Sequence, residues 1–182
     1  PDIAEKAGAT RVIRFPNKRG KGVELWEAFQ GAKGNYIVEI DADLQFDPEQ
    51  IPLFIEAFKK GADVVIAQRE NYKQSPLWRT IGNRSLSLLT TLVLMHPIHD
   101  VLAGFKAARK DVMLSLNLQE KGFMYESEIV VKAVRMGYKL AQIPVRYKRR
   151  MRENSQVSLI IDGLRFVRSI IYFGLLVPPP PR

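Results

Sequence analysis

Short apolar runs alternate with segments of helical spacing through the first half of the chain. Apolar runs at 11–15, 36–40 and 62–67 predict three strands. Apolar residues recur at helical intervals over 22–32, and a second helical segment over 48–60 begins with a proline, which a first helical turn accepts. Because strands that alternate with helices form βαβ units, the pattern predicts an α/β domain with a mostly parallel sheet and helices on both faces.

The second half of the chain is less regular but continues this alternation. Helical spacing extends over 77–95 and again over 127–136, and a proline or glycine follows each segment. A run at 105–108 and an extended segment at 138–147 predict two further strands. These elements are expected to share one domain, which is what 182 residues ordinarily build.

The last helical segment carries an apolar stripe that has two interpretations. The stripe comprises Val157, Ile160, Leu164, Val167, Ile171 and Leu175. Such a helix can lie in a membrane interface or pack on the core of its own domain, and the pattern does not choose between them. Charged residues interrupt the segment before it reaches the ~18 apolar residues of a membrane span. We therefore divide the chain into a domain over 1–156, an amphipathic helix over 157–177 and a proline-rich tail over 178–182.

Composition narrows the class of partner. Lys and Arg number 28 against 19 Asp and Glu, so the net charge of +9 favours nucleic acid, an anionic membrane surface or a phosphorylated substrate. The chain has no cysteine, which excludes disulfides, thiolate metal sites and cysteine nucleophiles. It does not begin with Met and opens in what resembles the end of a helix, so we expect a piece of a longer protein.

The most specific local signal is an acidic turn after the strand at 36–40. Asp41 and Asp43 follow this strand directly, and Gln45 comes two residues later. Ligands of open α/β sheets bind beyond the carboxyl ends of strands, and paired oxygen ligands suit Mg²⁺ or Mn²⁺, which take further ligands from substrate phosphates. The alternative is that both aspartates are turn and cap residues ahead of the next helix.

Three further features favour a binding site at this edge of the sheet. A basic, glycine-bearing loop carries Lys18 and Lys21 ahead of a helix whose N-terminus attracts anions, so both lysines are candidate substrate-binding residues. Arg69 ends a neighbouring buried strand. Asp100 precedes a turn at Gly104, where it is either a turn cap or, for a hydroxyl acceptor, the best candidate base.

Five motifs in order carry a resemblance to a known family. They are Asn-Lys-x-Gly-Lys-Gly from residue 17, Asp-Ala-Asp-Leu-Gln-x-Asp-Pro-Glu from 41, Gly-Ala-Asp-Val-Val-Ile-x-x-Arg from 61, Asp-x-x-x-Gly-Phe-Lys from 100 and Gly-Tyr-Lys-x-x-x-x-Pro-Val from 137. Together they resemble family-two glycosyltransferases, and within that family the dolichyl- and polyprenyl-phosphate mannosyl- and glucosyltransferases. The resemblance covers residues 1 to about 158 and lacks the first part of the family's domain.

This resemblance implies a fold, a reaction and a place of action. The fold would be GT-A, and the donor a nucleotide sugar such as GDP-mannose or UDP-glucose. A divalent cation, Mg²⁺ or Mn²⁺, would be bound, and the acceptor would be a dolichyl or polyprenyl phosphate that receives the sugar with inversion. The chain would act as a peripheral protein at the cytoplasmic face of a membrane.

The resemblance also implies roles for individual residues. Metal binding is implied for Asp41, Asp43 and Gln45. Arg69, Arg79 and Asn83 would approach the acceptor phosphate, and Asp100 stands near the reacting groups, so Arg69, Arg79 and Asp100 are the candidate catalytic residues. Further substrate contacts are implied for Glu128 and for a basic loop that closes over the donor, with Arg149, Arg150 and Ser155.

A basic run leaves rival functions open. Residues 129–152 include eight basic residues and no acidic one. We interpret this run as a clamp for donor phosphates that also attracts anionic lipid headgroups, whereas the plainest alternative is a solvated charged loop. Nucleic acid is not expected as a partner, because the run lacks the pattern of interleaved aromatic residues that forms a platform for single strands, and no known reading motif is present. The remaining hypotheses are transfer of another sugar, transfer to a hydroxyl acceptor, and a non-catalytic basic binding fragment.

Overall fold

The computed structural model describes residues 2–70, 77–148 and 159–178, without the side chains of residues 159 and 160. The helices in these ranges are α1 (Asp2–Lys6), α2 (Lys21–Gly31), α3 (Ile51–Lys59), α4 (Leu77–Leu94), α5 (Lys110–Ser115), α6 (Tyr125–Arg135) and α7 (Leu159–Ile171). A 3₁₀ turn at Pro48–Gln50 precedes α3, and a π-helical turn at Tyr172–Leu176 follows α7. The strands are β1 (Tyr36–Ile40), β2 (Val64–Arg69), β3 (Phe105–Arg109) and β4 (Leu140–Val145).

The four strands form one mixed sheet in the order β1-β3-β2-β4. β2 and β4 pair in parallel, and β3 runs antiparallel to both of its neighbours. The predicted α/β class is confirmed, since β1, β2 and β4 share one direction. β3 departs from the prediction of a parallel strand. The loop after α4 lies at the edge where β2 ends, as the contact between the Arg69 amide and Asp100 shows. Because β3 starts from this edge, it runs in the direction opposite to β2.

The strand predicted at 11–15 is wrong, because these residues form no strand in the structure. A strand needs a partner that satisfies its backbone groups, and within the described residues β1 pairs with β3 alone. Arg14 instead contacts Asp2 and Glu5 on α1, at 2.8 and 3.0 Å. This segment is therefore held by ion pairs of its side chains and takes no part in the sheet.

Two apolar cores lie on opposite faces of the sheet. The larger core contains residues of α2 and of α4 to α7, packed on side chains such as Val64 and Ile66 of β2. The smaller core lies under α3, where the Phe54 ring stacks on Phe105 with the ring centroids 4.1 Å apart. Helices therefore cover both faces, as predicted.

α7 packs on the larger core with a face that includes only part of the apolar stripe, since Val167 of the stripe contacts this core. Phe166, Ile170 and Phe173 are buried in that core. Leu164 and Leu175, which belong to the stripe, are 67% and 60% exposed. The helix therefore packs on its own domain, and some of its apolar side chains remain exposed. No helix in the described ranges combines the length and apolar character needed to cross a bilayer.

Candidate active site at the strand ends

The topology gathers the predicted site residues at one edge of the sheet. β1 and β2 end at this edge, so Asp41 follows the end of β1 and Arg69 is the last residue of β2. β3 begins at the same edge, and the Asp41 amide donates to the Gly104 carbonyl across the β1–β3 pair at 3.2 Å. β4 also ends here, with Val145 opposite Arg69. Because β3 is antiparallel to its neighbours, Asp100, which precedes β3, lies at the same edge of the sheet as Asp41 and Arg69.

The carboxylate turn, residues 41–45, is fixed by its own backbone and by the chain after β4. Leu44 has a φ of +63°, a conformation that costs a non-glycine residue about 1 kcal/mol. This bend lets the Gln45 amide donate to Asp43 Oδ1 at 3.2 Å. The Gln45 carbonyl accepts from the Lys148 amide at 2.8 Å, and the Gln45 side chain donates to the Tyr147 hydroxyl. Gln45 thus anchors the turn, while both carboxylates remain partly exposed.

Gly104 provides the space that the Asp41 carboxylate occupies. A Cβ atom built on Gly104 would overlap Asp41 Oδ2. Glycine allows this approach of backbone to side chain, which any larger residue would prevent. The Gly-Phe-Lys motif therefore serves the carboxylate turn as well as β3.

Arg69, Asp100 and Asn83 form an arginine clamp at the end of β2. Arg69 Nε and Nη2 each donate to one oxygen of Asp100 at 2.7 Å, and the Arg69 amide donates to Oδ2 at 3.2 Å. Asn83 from α4 donates to Asp100 Oδ1 at 3.0 Å. Asp100 is fully buried and its oxygens are occupied, so it positions Arg69.

Tyr147 connects the arginine clamp to the carboxylate turn. Its hydroxyl accepts from Gln45, and the Arg69 guanidinium carbon lies 5.2 Å from the centroid of its ring. The sequence analysis missed Tyr147, although an aromatic residue inside a basic run just beyond a predicted strand was a signal of a cation–π partner.

A lysine cluster lies behind the carboxylate turn. Lys21 Nζ is 2.7 Å from Asp41 Oδ1, 3.4 Å from Glu126 Oε1 and 3.9 Å from Glu39 Oε1. Lys106, which lies opposite Glu39 in the β1–β3 register and is fully buried, is 3.9 Å from Glu126 Oε2. Of these residues the sequence analysis found Lys21 and Asp41. Charged residues inside two otherwise apolar strands were the available signal for Glu39 and Lys106.

Burial shifts the titration of this cluster. Burial lowers the pKa of Lys21, but the neighbouring carboxylates, Glu126 first, outweigh it and hold that pKa above its ordinary value. Burial raises the pKa of Glu39 to about 7, against the attraction of Lys106 and Lys21. Burial and adjacent carboxylates also raise the pKa of Tyr125, whose hydroxyl donates to Glu39.

The remaining predicted residues lie in different places. Glu128 is fully buried and accepts the amides of Gln119 and Glu120, both at 2.8 Å, so its surroundings are those of a residue that holds a loop. Lys18 is exposed in the loop before α2. Arg79 lies one turn before Asn83 on α4, with its guanidinium carbon 4.8 Å from the centroid of the Trp78 ring. Three further residues lie outside the described ranges: Arg149, Arg150 and Ser155.

The carboxylate turn offers the chemistry of a divalent-cation site. Asp41 and Asp43 provide hard oxygen donors, and Gly104 leaves room for one of them. Across the described residues, no three or more His, Cys, Asp or Glu side chains are arranged as a complete metal site. Two carboxylates fit a cation such as Mg²⁺, which takes its remaining ligands from water and phosphate.

Solved structures define the class of fold. Glucosyl-3-phosphoglycerate synthase from Mycobacterium tuberculosis, in complex with phosphoglyceric acid, matches with a TM-score of 0.75 at 19% identity, over 100% of this chain and 65% of that one. Its complex with Mn²⁺, UDP-glucose and phosphoglyceric acid matches with a TM-score of 0.75 at 19% identity, over 95% and 64% of the two chains. The fold is that of the GT-A glycosyltransferases.

Sequence comparison then places the chain. It belongs to glycosyl transferase family 2, whose family model matches residues 1–116. It is similar to a dolichol-phosphate mannosyltransferase of Pyrococcus furiosus, at 31% identity over 86% of this chain and 46% of the relative. It is also similar to a polyprenol monophosphomannose synthase of Mycolicibacterium smegmatis, at 26% identity over 76% and 56%. The chain spans about half the length of these two relatives.

Proposed function

We propose that the protein transfers a hexose, with mannose as the first candidate, from a nucleotide diphosphate sugar to a dolichyl or polyprenyl phosphate. The observation that carries the proposal is the meeting of two groups at one edge of the sheet. The carboxylate turn and the arginine clamp both contact Tyr147, so a site for a cation adjoins a site for an anion. The names of the relatives, a dolichol-phosphate mannosyltransferase and a polyprenol monophosphomannose synthase, support this substrate class. Inversion at the sugar carbon follows from the family resemblance.

On the donor side, the carboxylate turn and the start of α2 would receive the diphosphate. A divalent cation held by Asp41 and Asp43 would supply positive charge to the departing diphosphate, and solved neighbours of this fold contain Mn²⁺. Lys18 and Lys21 lie at the N-terminus of α2, where the helix dipole favours anions. The family resemblance assigns Arg149, Arg150 and Ser155 to the same diphosphate.

On the acceptor side, Arg69 would hold the phosphate, with Arg79 and Asn83 nearby on α4. A phosphate monoester is already anionic near neutral pH, since its second pKa is ~6, so it needs positioning and shielding and no strong base. Asp100 is buried against Arg69, which leaves it without access to an acceptor proton. This geometry favours a phosphate acceptor over the hydroxyl acceptor for which Asp100 would be the base.

Two helices would place the site at a membrane surface. α4 and α7 pack together, and large apolar side chains are exposed on both, among them Ile81, Leu88 and Leu92 on α4, Leu164 on α7 and Leu175 on the π-helical turn that follows α7. Apolar side chains on a positively charged protein suit the interface of an anionic bilayer. We therefore place the protein at the membrane surface, on the cytoplasmic face that the resemblance implies.

Vesicle flotation tests this placement. The double variant Leu164→Ser and Leu175→Ser is expected to float at least about fivefold less with anionic vesicles, because it removes apolar area from the interface. Leu53→Ser is the matched control, since Leu53 is also exposed but lies on α3, across the sheet. Equal flotation of the double variant and the control would remove the membrane placement.

Product formation tests the proposed reaction. The protein is incubated with radiolabelled GDP-mannose or UDP-glucose and a short polyprenyl phosphate, and label is counted in the lipid fraction. Unphosphorylated polyprenol is the matched acceptor, which we expect to receive nothing. Transfer to the polyprenol would favour the hydroxyl-acceptor alternative, and no labelled lipid from any donor would favour a non-catalytic binding fragment.

A further inference from the structure

A lysine occupies an oxygen that the proposed cation would need. The shortest contact of Lys21 Nζ within the lysine cluster is to Asp41 Oδ1, at 2.7 Å. Asp41 is also a proposed ligand in the carboxylate turn, and its side chain is 34% exposed. An ammonium and a divalent cation at one carboxylate repel each other strongly, because the site is partly shielded from water. The two cations therefore compete for Asp41.

The surroundings of Lys21 offer it a second position. Glu126 and Glu39 lie 3.4 and 3.9 Å from Nζ, and both are almost completely buried behind Asp41. The rings of Tyr125 and Phe123 have centroids 5.4 and 5.9 Å from the ammonium, where cation–π attraction acts. Lys21 can therefore release Asp41 without losing all of its stabilising contacts.

The lysine cluster also contains a carboxylate whose hydrogen bonding is incomplete. Glu39 Oε1 accepts from Tyr125, whereas Glu39 Oε2 is buried without a hydrogen-bond partner. A buried carboxylate oxygen without a donor costs free energy, so the cluster is not at its electrostatic optimum. Glu39 is therefore a carboxylate toward which the Lys21 ammonium can turn when it leaves Asp41.

We propose that Lys21 is an exchangeable counter-ion of the carboxylate turn. It holds Asp41 while the turn carries no divalent cation, and it releases Asp41 when a cation and a diphosphate arrive. Its ammonium then donates to the diphosphate, which meets it at the first residue of α2. The inference rests on the proposed function because it uses the same carboxylate turn, and it adds the order in which the charges exchange.

Binding measurements on Lys21→Met test the exchange without a sugar or a lipid. Mn²⁺ binding is followed by the electron paramagnetic resonance signal of free Mn²⁺, first alone and then with inorganic pyrophosphate. The variant is expected to bind Mn²⁺ alone about tenfold more tightly, because a like charge within a few ångströms is removed. The Mn²⁺-loaded variant is expected to bind pyrophosphate about tenfold more weakly, because the ammonium donor is gone. Opposite changes in the affinities for Mn²⁺ and pyrophosphate are expected only if Lys21 moves between Asp41 and the diphosphate.

Two controls accompany the variant. Lys21→Arg keeps the charge and should preserve both affinities within about threefold, and Lys33→Met removes an exposed charge outside the cluster and should change neither. Weaker Mn²⁺ binding by Lys21→Met would show that Lys21 only organises Asp41 and would overturn the proposal. The proposal is also overturned if the affinities for Mn²⁺ and pyrophosphate shift in the same direction or do not shift, or if neither the wild-type chain nor Lys21→Met binds Mn²⁺.

A second measurement uses the wild-type chain and so does not depend on folding of the variant. Reductive methylation, located by mass spectrometry, reports how accessible each lysine amine is. Added Mn²⁺ should decrease the modification of Lys21 severalfold relative to Lys33, because the amine turns from the partly exposed Asp41 toward the buried Glu126 and Glu39, and pyrophosphate, which draws the amine outward again, should change the ratio a second time. An unchanged ratio would overturn the exchange. A protein that passes these tests but transfers no hexose fails the proposed function alone.

Discussion

The arginine clamp and the lysine cluster both pair cations with carboxylates, but their charge balance differs. In the clamp, one guanidinium meets one carboxylate through two contacts of 2.7 Å, and Asp100 is completely shielded from solvent. In the cluster, the Lys21 ammonium is shared by three carboxylates at 2.7 to 3.9 Å, and Asp41 remains partly exposed. The clamp is complete by itself and presents a fixed cation, whereas Asp41 in the cluster is partly exposed and shares its counter-ion Lys21 with two other carboxylates. One half of the site is thus preorganised for an anion, and the other half is arranged to receive a cation.

The largest effect is expected from breaking the clamp. Asp100→Asn leaves Arg69 without its charged partner in a largely buried place, so the free energy of unfolding should fall by about 3 kcal/mol. Urea denaturation followed by circular dichroism measures this loss.

The matched control is Asp111→Asn, which breaks an exposed pair with Arg109 at a similar separation of 2.6 Å. Solvent screens that pair, so the loss should stay within about 0.5 kcal/mol. Equal losses for Asp100→Asn and Asp111→Asn would show that the clamp is not a stabilising, preorganised unit.

The next largest effect is expected on the rate of hexose transfer when an aspartate of the carboxylate turn is removed. Asp43→Ala removes a proposed cation ligand from a partly exposed position, so hexose transfer should fall by at least about a hundredfold while stability changes by less than about 1 kcal/mol. Labelled polyprenyl phosphate measures the transfer, and Asp111→Asn serves again as the control with unchanged activity. Full activity of Asp43→Ala would contradict a cation site in this turn.

A smaller effect is expected from filling the space beside Asp41 without changing any charge. Gly104→Ala keeps every charge but adds a Cβ where the Asp41 carboxylate lies, so Asp41 must shift. Stability should fall by about 1 kcal/mol, and Mn²⁺ affinity by about tenfold. Thermal unfolding and the Mn²⁺ resonance signal measure the two quantities.

Gly163→Ala is the matched control for Gly104→Ala. Gly163 lies within α7, and a Cβ there meets nothing within 4 Å. Because alanine favours helix over glycine, this variant should be more stable by up to about 1 kcal/mol, with unchanged Mn²⁺ binding. Unchanged Mn²⁺ binding by Gly104→Ala would mean that Asp41 is not a ligand.

Local patterns predicted most elements of this fold. The runs that became β1 and β3, the helices α2, α3 and α6 and their glycine ends could be recognised because helix and strand periodicity depends on near neighbours. The same reasoning failed at 11–15, where an apolar run forms no strand and stays outside the sheet. It also failed on the direction of β3, which depends on where the preceding loop lies.

The candidate site divides in the same way. Asp41, Asp43 and Arg69 could be found because each follows or ends a strand that the sequence reveals, and strand ends hold ligands in α/β sheets. Glu126 could not be found, because its contact with Lys21 joins parts of the chain that are far apart in sequence, and the partner of Tyr147, Arg69, is equally remote from it.

By itself, the sequence determined the positions of the main helices and strands, the acidic turn after β1 and the family of the chain. Only the tertiary structure decided that Asp100 is buried against Arg69, that Lys21 stands among three carboxylates, and that α7 packs on the larger core while Leu164 stays exposed. The physical reason is the separation in sequence over which each interaction acts. Periodicity and turn chemistry act over a few residues, whereas the pairing of charges and the choice of a buried face depend on which distant elements the antiparallel β3 brings together.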